Sequence, residues 1–316
     1  MLLRVAHRLM VLLVSLALAS VVVFAFMRVL PGDPARVALG VNASEEAVRA
    51  LRTQFGLDRP VVVQYVDWVG GLLTLDPGIE FLSRAPIGPQ IADRLLVTMW
   101  LVVASMVLAL VVAVPVGLWM ALRHRHWDGI VLSGFSQVGV AVPAFLAGIL
   151  MISVFAVRLG WLPSGGWVVP ARDPVGFLQR LAMPTLSLAL VQGAVLARYV
   201  RSAVLDVLRE DYLRTARAKG LRPVQALVRH GLRNAAVPVV TVLGLQLATL
   251  LIGAVVVERV FVIPGLGSLL LDSVAKRELL TVQTVVMVLV VAVLVINFVV
   301  DLLYLLIDPR LRRAAR

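Results

Sequence analysis

Six apolar runs, each long enough to form a membrane-spanning helix, constrain the fold of this chain more than any other feature. They lie at residues 9–30, 95–122, 131–157, 181–200, 236–257 and 281–306. A helix of about 20 residues crosses the hydrocarbon core of a bilayer, which is roughly 30 Å thick. Of the 316 residues, 60% are hydrophobic and 15% are charged, which is more apolar surface than one soluble core buries. We predict an all-α integral membrane protein with six transmembrane helices.

The distribution of arginine and lysine predicts the side of the membrane on which each loop lies, because short basic loops stay in the cytoplasm. With the N-terminus inside, 16 basic residues fall on the cytoplasmic side and six fall in two short outer loops. The cytoplasmic segments are 1–8, 123–130, 201–235 and 307–316, and the short outer loops are 158–180 and 259–280. Both termini are therefore predicted to be cytoplasmic. The first run is longer than the apolar part of a signal peptide and is interpreted as a signal anchor.

The segment 31–94 is predicted to be extracytoplasmic and to contain two amphipathic helices. Asn42 or Ser44 caps the first helix, which stops at Gly56. Asp58 caps the second helix, with Pro60 in its first turn. One face of the second helix carries Val62, Tyr65, Val66 and Val69. Two interpretations remain open: the helices cover the spans at the outer membrane surface, or they contact an extracytoplasmic partner.

The sequence carries few of the motifs that support catalysis. It lacks a glycine-rich phosphate-binding loop ending in Gly-Lys-Ser/Thr, so the chain is not predicted to hydrolyse ATP. It also lacks cysteine, Gly-x-Ser-x-Gly and His-Glu-x-x-His. His124 and His126 have no carboxylate or thiol beside them and are interpreted as solvated loop residues. We predict no catalytic residue, no bound cofactor, no metal site and, since the basic residues lie in short loops, no nucleic-acid partner.

Ionisable residues inside a membrane mark ion or proton pathways, and these spans nearly lack them. Asp301 is the exception, and we expect it to pair with a basic residue near the inner surface, whereas Arg198 and Glu258 lie at span ends. A secondary transporter would need more buried charge, and an intramembrane hydrolase would need a nucleophile with a base. Four amides inside the spans either join helices or line a polar pathway: Gln137, Gln192, Gln246 and Asn297.

The cytoplasmic stretch from Asp211 to Pro238 is predicted to form two short helices that meet at a bend. The first ends at Gly220, and Leu221-Arg222-Pro223 turns the chain into the second, from Val224 to Ala235. Ala216 and Ala218 keep the surface beside the bend small. Positive charge is offered by Arg214, Arg217 and Lys219. Such a surface suits either an acidic protein partner or lipid headgroups.

The residues Tyr212-Leu-Arg-Thr-Ala-Arg-Ala-Lys-Gly-Leu221 are followed by Arg229-His-Gly-Leu-Arg-Asn-Ala-Ala-Val-Pro238 at a characteristic spacing. Together they resemble the "EAA" loop of ABC importer permeases in the dipeptide, oligopeptide and nickel branch. Other motifs of this branch occur in the right order: Leu30-Pro-Gly-Asp-Pro34, Phe55-Gly-Leu-Asp-Arg-Pro60, Glu258-Arg-Val-Phe-Val-Ile-Pro-Gly-Leu-Gly267 and Ile307-Asp-Pro-Arg-Leu311. One departure is Asp76-Pro-Gly-Ile-Glu80, where family members often have Gly-x-Ser after an acidic residue. The likeness covers essentially the whole chain.

This resemblance implies a type I ABC importer permease fold in the bacterial cytoplasmic (inner) membrane. The implied partners are a second homologous permease subunit, two ABC ATPase subunits that use ATP and Mg²⁺, an extracytoplasmic solute-binding protein and membrane lipid. The residues implied to couple to the ATPase are Tyr212, Arg214, Thr215, Ala216, Ala218, Lys219, Gly220, Leu221, Arg229 and Pro238. Those implied to close the outer mouth are Glu258, Phe261, Pro264, Gly265 and Gly267.

The implied function is import of di- or oligopeptides, with nickel or another small solute, or a secondary transporter, as alternatives. The chain then divides into four parts. Residues 1–30 form a cytoplasmic tail and the first span, and 31–94 form the extracytoplasmic helical segment. Residues 95–306 form the permease core of spans two to six with the coupling loop 201–235, and 307–316 form a cytoplasmic tail.

Overall fold

A computed structural model describes residues 2–29, 33–40 and 43–307, and most of these residues are helical. In chain order the helices are α1 (Leu2–Val29), α2 (Pro34–Leu39), α3 (Glu45–Gln54), α4 (Val61–Leu73), α5 (Ile87–Leu122), α6 (Trp127–Ala141), α7 (Ala144–Met151), α8 (Pro174–Leu208), α9 (Asp211–Ala218), α10 (Pro223–Ala226), α11 (Leu232–Val260), α12 (Leu266–Ala275) and α13 (Leu279–Ile307). Within these described ranges, extended pairing is limited to an isolated bridge between Ile79 and Pro86. The all-α prediction is confirmed.

Five helices of the described chain are long and apolar enough to cross a membrane, or six if one bent pair counts as a single span. The bent pair replaces the predicted run 131–157: α6 and the helix from Ala144 to Arg158 meet at an angle of 98°. This run is therefore not one straight helix. Val142 has extended backbone angles, as expected of a residue that precedes proline, and Pro143 begins the next helix because it has no N–H to continue the first.

Two predicted boundaries change. The run 181–200 is the middle of α8, which is 35 residues long and continues to Leu208. The second short helix predicted from Val224 to Ala235 is not a separate element, because α10 passes through a π-helical turn, Leu227–Gly231, directly into α11. The whole stretch Pro223–Val260 is one helix of 38 residues. The connection between spans is thus residues 209–222, shorter than the predicted loop 201–235.

The described residues divide into two compact units, and those of the first fall within residues 1–8, 99–263 and 295–316. Its core is built around α8, which packs against α6, α7 and α11. Small residues allow the helices to approach closely. A Cβ at Gly117 would lie 2.6 Å from the Cβ of Val200, and a Cβ at Gly244 would lie 2.8 Å from a methyl group of Val300. These glycines explain how long helices pack tightly without large interlocking side chains.

The second unit contains residues 9–98 and 264–294. Here α4 packs against α1 and α13 through a cluster that includes Val23, Phe24, Trp68 and Met287. The interpretation that the 31–94 segment covers the spans is therefore supported for α4. A second cluster joins the start of α5 to α12 and α13 through Ile87, Ile91, Leu266, Leu269 and Val285.

The 31–94 segment follows its predicted outline, with corrections at Asp58 and at α2. Ser44 caps α3 by accepting a bond from the Ala47 N–H at 3.3 Å, and Gly56 follows the end of the helix with φ +67°, whereas Asn42 lies outside the described residues. Asp58 does not cap α4, because Pro60 occupies the cap position. Helix α2 was not predicted from the sequence, and neither was α12, which lies outside this segment.

The predicted apolar face of α4 also divides into two. Tyr65 and Val69 pack with the α1–α13 cluster, whereas Val62 and Val66 are exposed on another side of the helix. Trp68 decides the orientation, because its large ring stacks on Phe24 at 6.0 Å between centroids and takes the buried position.

Candidate functional site

The candidate site is the connection between α8 and α11, and its inner face is fixed by an apolar core. Leu213 of α9 is completely buried in a cluster with Val204, Val207 and Leu227. Ala216, one turn later on the same face, packs against this cluster. The spacing of three residues thus seats α9 on the end of α8 and the start of the next span.

The end of α9 is a Schellman motif centred on Gly220. The N–H of Leu221 bonds to the carbonyl of Ala216 at 3.3 Å, and the N–H of Gly220 bonds to the carbonyl of Arg217 at 3.0 Å. Gly220 has φ +94°, which L-residues with a Cβ rarely adopt. Leu221 also packs against the core cluster, so the turn redirects the chain without losing its apolar anchor.

The outward face of α9 is polar and basic. Thr215, Ala218 and Lys219 are exposed, and the Arg214 guanidinium lies 3.4 Å from the exposed carboxylate of Asp211. An ion pair this exposed contributes little to stability, so both groups remain accessible to a partner. Tyr212 is held by a bond from the Asn234 amide to its hydroxyl at 2.8 Å.

A shallow groove continues this surface beyond the bend. Its volume is about 410 Å³, and it is lined by Leu221, Val224, Gln225, Val228 and Arg229. Val224 and Val228 are more than half exposed although they are apolar. The surface therefore combines a basic helix with an uncovered apolar groove, which is typical of a protein-binding site.

The residues predicted to close the outer mouth fall in two structural settings. Glu258 and Phe261 are fully buried at the end of α11. A Cβ at Gly148 would lie 2.8 Å from the Phe261 ring, and the Phe261 carbonyl accepts the Gly166 N–H at 2.8 Å. In the second unit, Gly265 caps α12, Gly267 is buried in its first turn, and Pro264 precedes them.

The predicted pathway amides are not all alike. Gln192 is almost fully buried and donates to the backbone carbonyl of Gln246 at 3.3 Å, which joins α8 to α11. This contact gives Gln192 the helix-joining role. Asn297 is half-buried and Gln137 is exposed. Beside Gln137, the Ser136 hydroxyl donates to the Ala194 carbonyl at 2.7 Å and links α6 to α8.

Asp301 has the basic partner that the sequence predicted. Its carboxylate pairs with the Arg8 guanidinium, between the last part of α13 and the first turns of α1. Among the residues that the structure describes, there is no group of three or more histidine, aspartate or glutamate side chains arranged to hold a metal.

A profile for the family "binding-protein-dependent transport system inner membrane component" matches residues 113–313, and a profile for the N-terminal part of such components matches residues 1–81. This chain belongs to that family. The glutathione transport system permease protein GsiC of Escherichia coli (strain K12) is 40% identical over 308 residues, which are 98% of each chain. The GsiC protein of Salmonella typhi is 41% identical over the same share of both chains.

Solved structures show that the fold is shared with ABC transporters. A chain of the MetNI methionine ABC transporter, in an inward-facing conformation, matches with a TM-score of 0.57 and 20% identity, over 69% of the permease and 96% of that chain. A chain of an amino acid ABC transporter matches with a TM-score of 0.51 and 18% identity, over 68% and 93%. The protein is an ABC importer permease of the dipeptide and oligopeptide group and a multi-pass protein of the bacterial inner membrane.

The permease fold gathers most of the residues implied to couple to the ATPase. Those from Tyr212 to Arg229 lie on or beside α9 and the groove, whereas Pro238 lies farther along, inside α11. Ala216 differs from the others because it faces the core, so packing against Leu213 and its neighbours already requires its small size.

Two residues of the permease were missed in the sequence. Gly231 is buried beneath α9, and a Cβ there would lie 2.8 Å from Leu227 and 3.3 Å from Leu213. Its signal was a glycine inside an otherwise unbroken helical pattern. Val262, just after Phe261, adopts φ +52°, a strained conformation for a β-branched residue, and nothing in its sequence context indicates this.

Proposed function

We propose that this permease is the membrane subunit through which an ABC importer takes up short peptides, driven by ATP hydrolysed on separate ATPase subunits. In this proposal the 209–222 connection is cytoplasmic and α9 is the coupling helix. A second homologous permease subunit completes the pathway, two ATPase subunits bind inside, and a solute-binding protein delivers the solute outside. ATP and Mg²⁺ bind to the ATPase subunits and not to this chain.

The observation that carries the proposal is the two-sided character of α9. Leu213 and Ala216 fix one side of the helix to the ends of the neighbouring spans. The opposite side exposes Arg214, Ala218 and Lys219. A helix held this way transmits force from a docked protein to the spans, because its anchor is rigid and its outer surface is free to receive a partner.

The choice of peptides is supported by the relatives and by the nature of the span residues. The matched relatives are named for transport of glutathione, which is a tripeptide. The described spans also contain buried amides and hydroxyls, which are groups able to hydrogen-bond the amides of a peptide. Nickel or another small solute is the alternative cargo.

Ala218→Trp in the reconstituted importer tests the coupling role. Ala218 is exposed and outside the core cluster, so the bulky ring should obstruct docking while leaving the permease folded. We expect ATP-dependent peptide uptake to be abolished and co-purification of the ATPase to decrease. Ala216→Asp would be a poorer test, because Ala216 packs against the core and the change would also disturb folding. Gly220→Trp has the same weakness, because Gly220 adopts a positive φ that tryptophan rarely takes.

The matched control is Ala47→Trp, an exposed alanine of α3 outside the coupling surface, which should leave co-purification of the ATPase at the wild-type level. Uptake of labelled dipeptides, glutathione and Ni²⁺ is compared in the same vesicles. Wild-type uptake and ATPase association with Ala218→Trp would overturn the coupling assignment. Uptake of Ni²⁺ with no uptake of peptides would overturn the cargo assignment alone.

A further inference from the structure

Helix α4 is attached to two membrane-spanning helices through the polar ends of its aromatic side chains. The Tyr65 hydroxyl lies 2.8 Å from the Ser20 hydroxyl of α1. The Trp68 indole N–H donates to the Thr284 hydroxyl of α13 at 3.2 Å, and the Trp68 ring stacks on Phe24. These contacts lie in the second compact unit and place α4 alongside α1 and α13.

The positions of these contacts along the spans give their depth. Ser20 precedes the end of α1 at Val29 by nine residues, which is about 14 Å of helix. Thr284 follows the start of α13 at Leu279 by five residues, or about 8 Å. The apolar stretches Val5–Val29 and Leu279–Leu303 exceed the hydrocarbon thickness by only about 7 Å, shared between two ends. Both contacts therefore lie inside one leaflet.

All four polar side chains of α4 have partners within the protein. Tyr65 and Trp68 are bonded to the spans as described. Gln64 donates to the Arg59 carbonyl at 2.7 Å, and Asp67 pairs with the Arg59 guanidinium at 2.8 Å. Each polar side chain of α4 thus has a partner within the protein, as a segment at membrane depth requires, and the Arg59 and Asp67 side chains also remain half exposed.

The remaining face of α4 is apolar and uncovered. Val62, Val66 and Leu73 are 72%, 59% and 81% exposed, and no heavy atom outside the helix approaches the Gly70 Cβ position within 4 Å. These four residues form one stripe along the helix. With 13 residues, α4 is too short to cross a bilayer but has the length of an interfacial or re-entrant segment.

We propose that α4 is embedded in the membrane and that lipid acyl chains cover the stripe formed by Val62, Val66, Gly70 and Leu73. The leaflet is the one that holds the C-terminal end of α1, which is the outer leaflet in the topology proposed above. The 31–94 segment is then not wholly extracytoplasmic. The inference depends on the membrane fold of the chain and does not depend on which solute it carries.

Single-cysteine variants test this proposal cleanly because the chain has no cysteine of its own. Val66→Cys and, as a second position, Val62→Cys are labelled with a small fluorophore in the complete importer, reconstituted in nanodiscs without the binding protein. Val22→Cys, on the exposed side of α1, is the lipid-facing reference. Arg49→Cys, on the exposed side of α3, is the water-facing reference.

Quenching by brominated lipid and by aqueous iodide is measured for each label. We expect the Val66 and Val62 labels to behave like the Val22 label, with lipid quenching several-fold above that of Arg49 and iodide quenching several-fold below it. Iodide quenching equal to that of Arg49 would place the stripe in water. Protection from both quenchers would place it against the second permease subunit. Either result overturns the proposal.

Discussion

Gly220 shows how one residue determines the shape of the candidate coupling surface. Its φ of +94° ends α9, and its N–H and that of Leu221 bond back into the last turn of the helix. Because space around the Gly220 Cβ position is open, the restriction comes from the backbone angle and not from crowding.

Gly220→Ala should therefore destabilise the end of α9 by about 1 kcal/mol, since an L-residue is strained at positive φ. Gly220→Asn should cost less, because asparagine tolerates this region better. Hydrogen–deuterium exchange of the 211–222 amides measures the effect. We expect exchange to be slowest in the wild type, faster in Gly220→Asn and fastest in Gly220→Ala.

The matched control is Gly134→Ala, an open glycine within α6. Alanine there should leave exchange unchanged or slow it, since a helical glycine is the less stable residue by about 0.5–1 kcal/mol. Equal effects at both positions would show that the φ of Gly220 does not govern the bend.

For single residues, the sequence predicted the type of partner better than the direction in which a side chain points. A basic partner for Asp301 was predicted, and Arg8 provides it. The different directions of Ala216 and Ala218 were not predicted, because they depend on the burial of Leu213 against residues from α8 and the start of the next span. Such contacts bring together residues far apart in the chain, and a local pattern does not contain them.

Among the elements, the connection between α4 and α5 is bonded to a buried carboxylate that precedes α13. Glu278 is 2% exposed, and its oxygens accept the N–H groups of Phe81 and Leu82 at 2.7 and 2.6 Å. Hydrogen bonds to a charged acceptor contribute more than neutral ones, roughly 1.5–3 kcal/mol each. Glu278 thus fixes the segment around the Ile79–Pro86 bridge to the start of α13.

Glu278→Ala should loosen this segment more than Glu278→Gln, which keeps one acceptor for the two N–H groups. Hydrogen–deuterium exchange of residues 78–86 measures the change, and the expected order of exchange is wild type slowest, Gln intermediate and Ala fastest. Glu46→Gln, at an exposed carboxylate of α3, serves as control. Unchanged exchange in Glu278→Ala would contradict a clamping role.

Element types were predicted more reliably than their boundaries. Length and apolarity identified the spans, because a helix in lipid must satisfy its own backbone. The break at Val142 had a sequence signal in Pro143, yet its 98° angle depends on packing. The buried face of α4 was predicted wrongly. Hydrophobic periodicity alone does not say which apolar side of the helix will pack against α1 and α13, and the side that carries Trp68 does so.

For the whole molecule, the pairing of Arg8 with Asp301 brings the first turns of α1 together with the last part of α13. Helix ends that meet agree with an even number of spans, whereas the cytoplasmic location of both termini stays a prediction. The motifs that carried the family assignment are spread along the chain, which explains why fold and family were predictable before any contact was known.

Two exposed arginines test this topology. Arg125, between α5 and α6, should face the cytoplasm, and Arg172, just before α8, should face the opposite side. We expect Arg125→Cys to react with a membrane-impermeant maleimide only in inside-out vesicles, and Arg172→Cys only in right-side-out vesicles. The reverse pattern would invert the topology, and labelling from the same side would contradict the bent pair as one span.

The uninterrupted helix Pro223–Val260 has a mechanical consequence. Its 38 residues extend over about 57 Å, so one continuous helix connects the candidate coupling surface to the buried Glu258. This helix can bend at two places, the π-turn Leu227–Gly231 and Pro238. Both lie near the end of the helix that follows the 209–222 connection. Beyond Pro238 the helix continues for about 33 Å to Val260, so a change of about 5° in its direction at Pro238 would displace the Glu258 end by about 3 Å without any relay through other side chains.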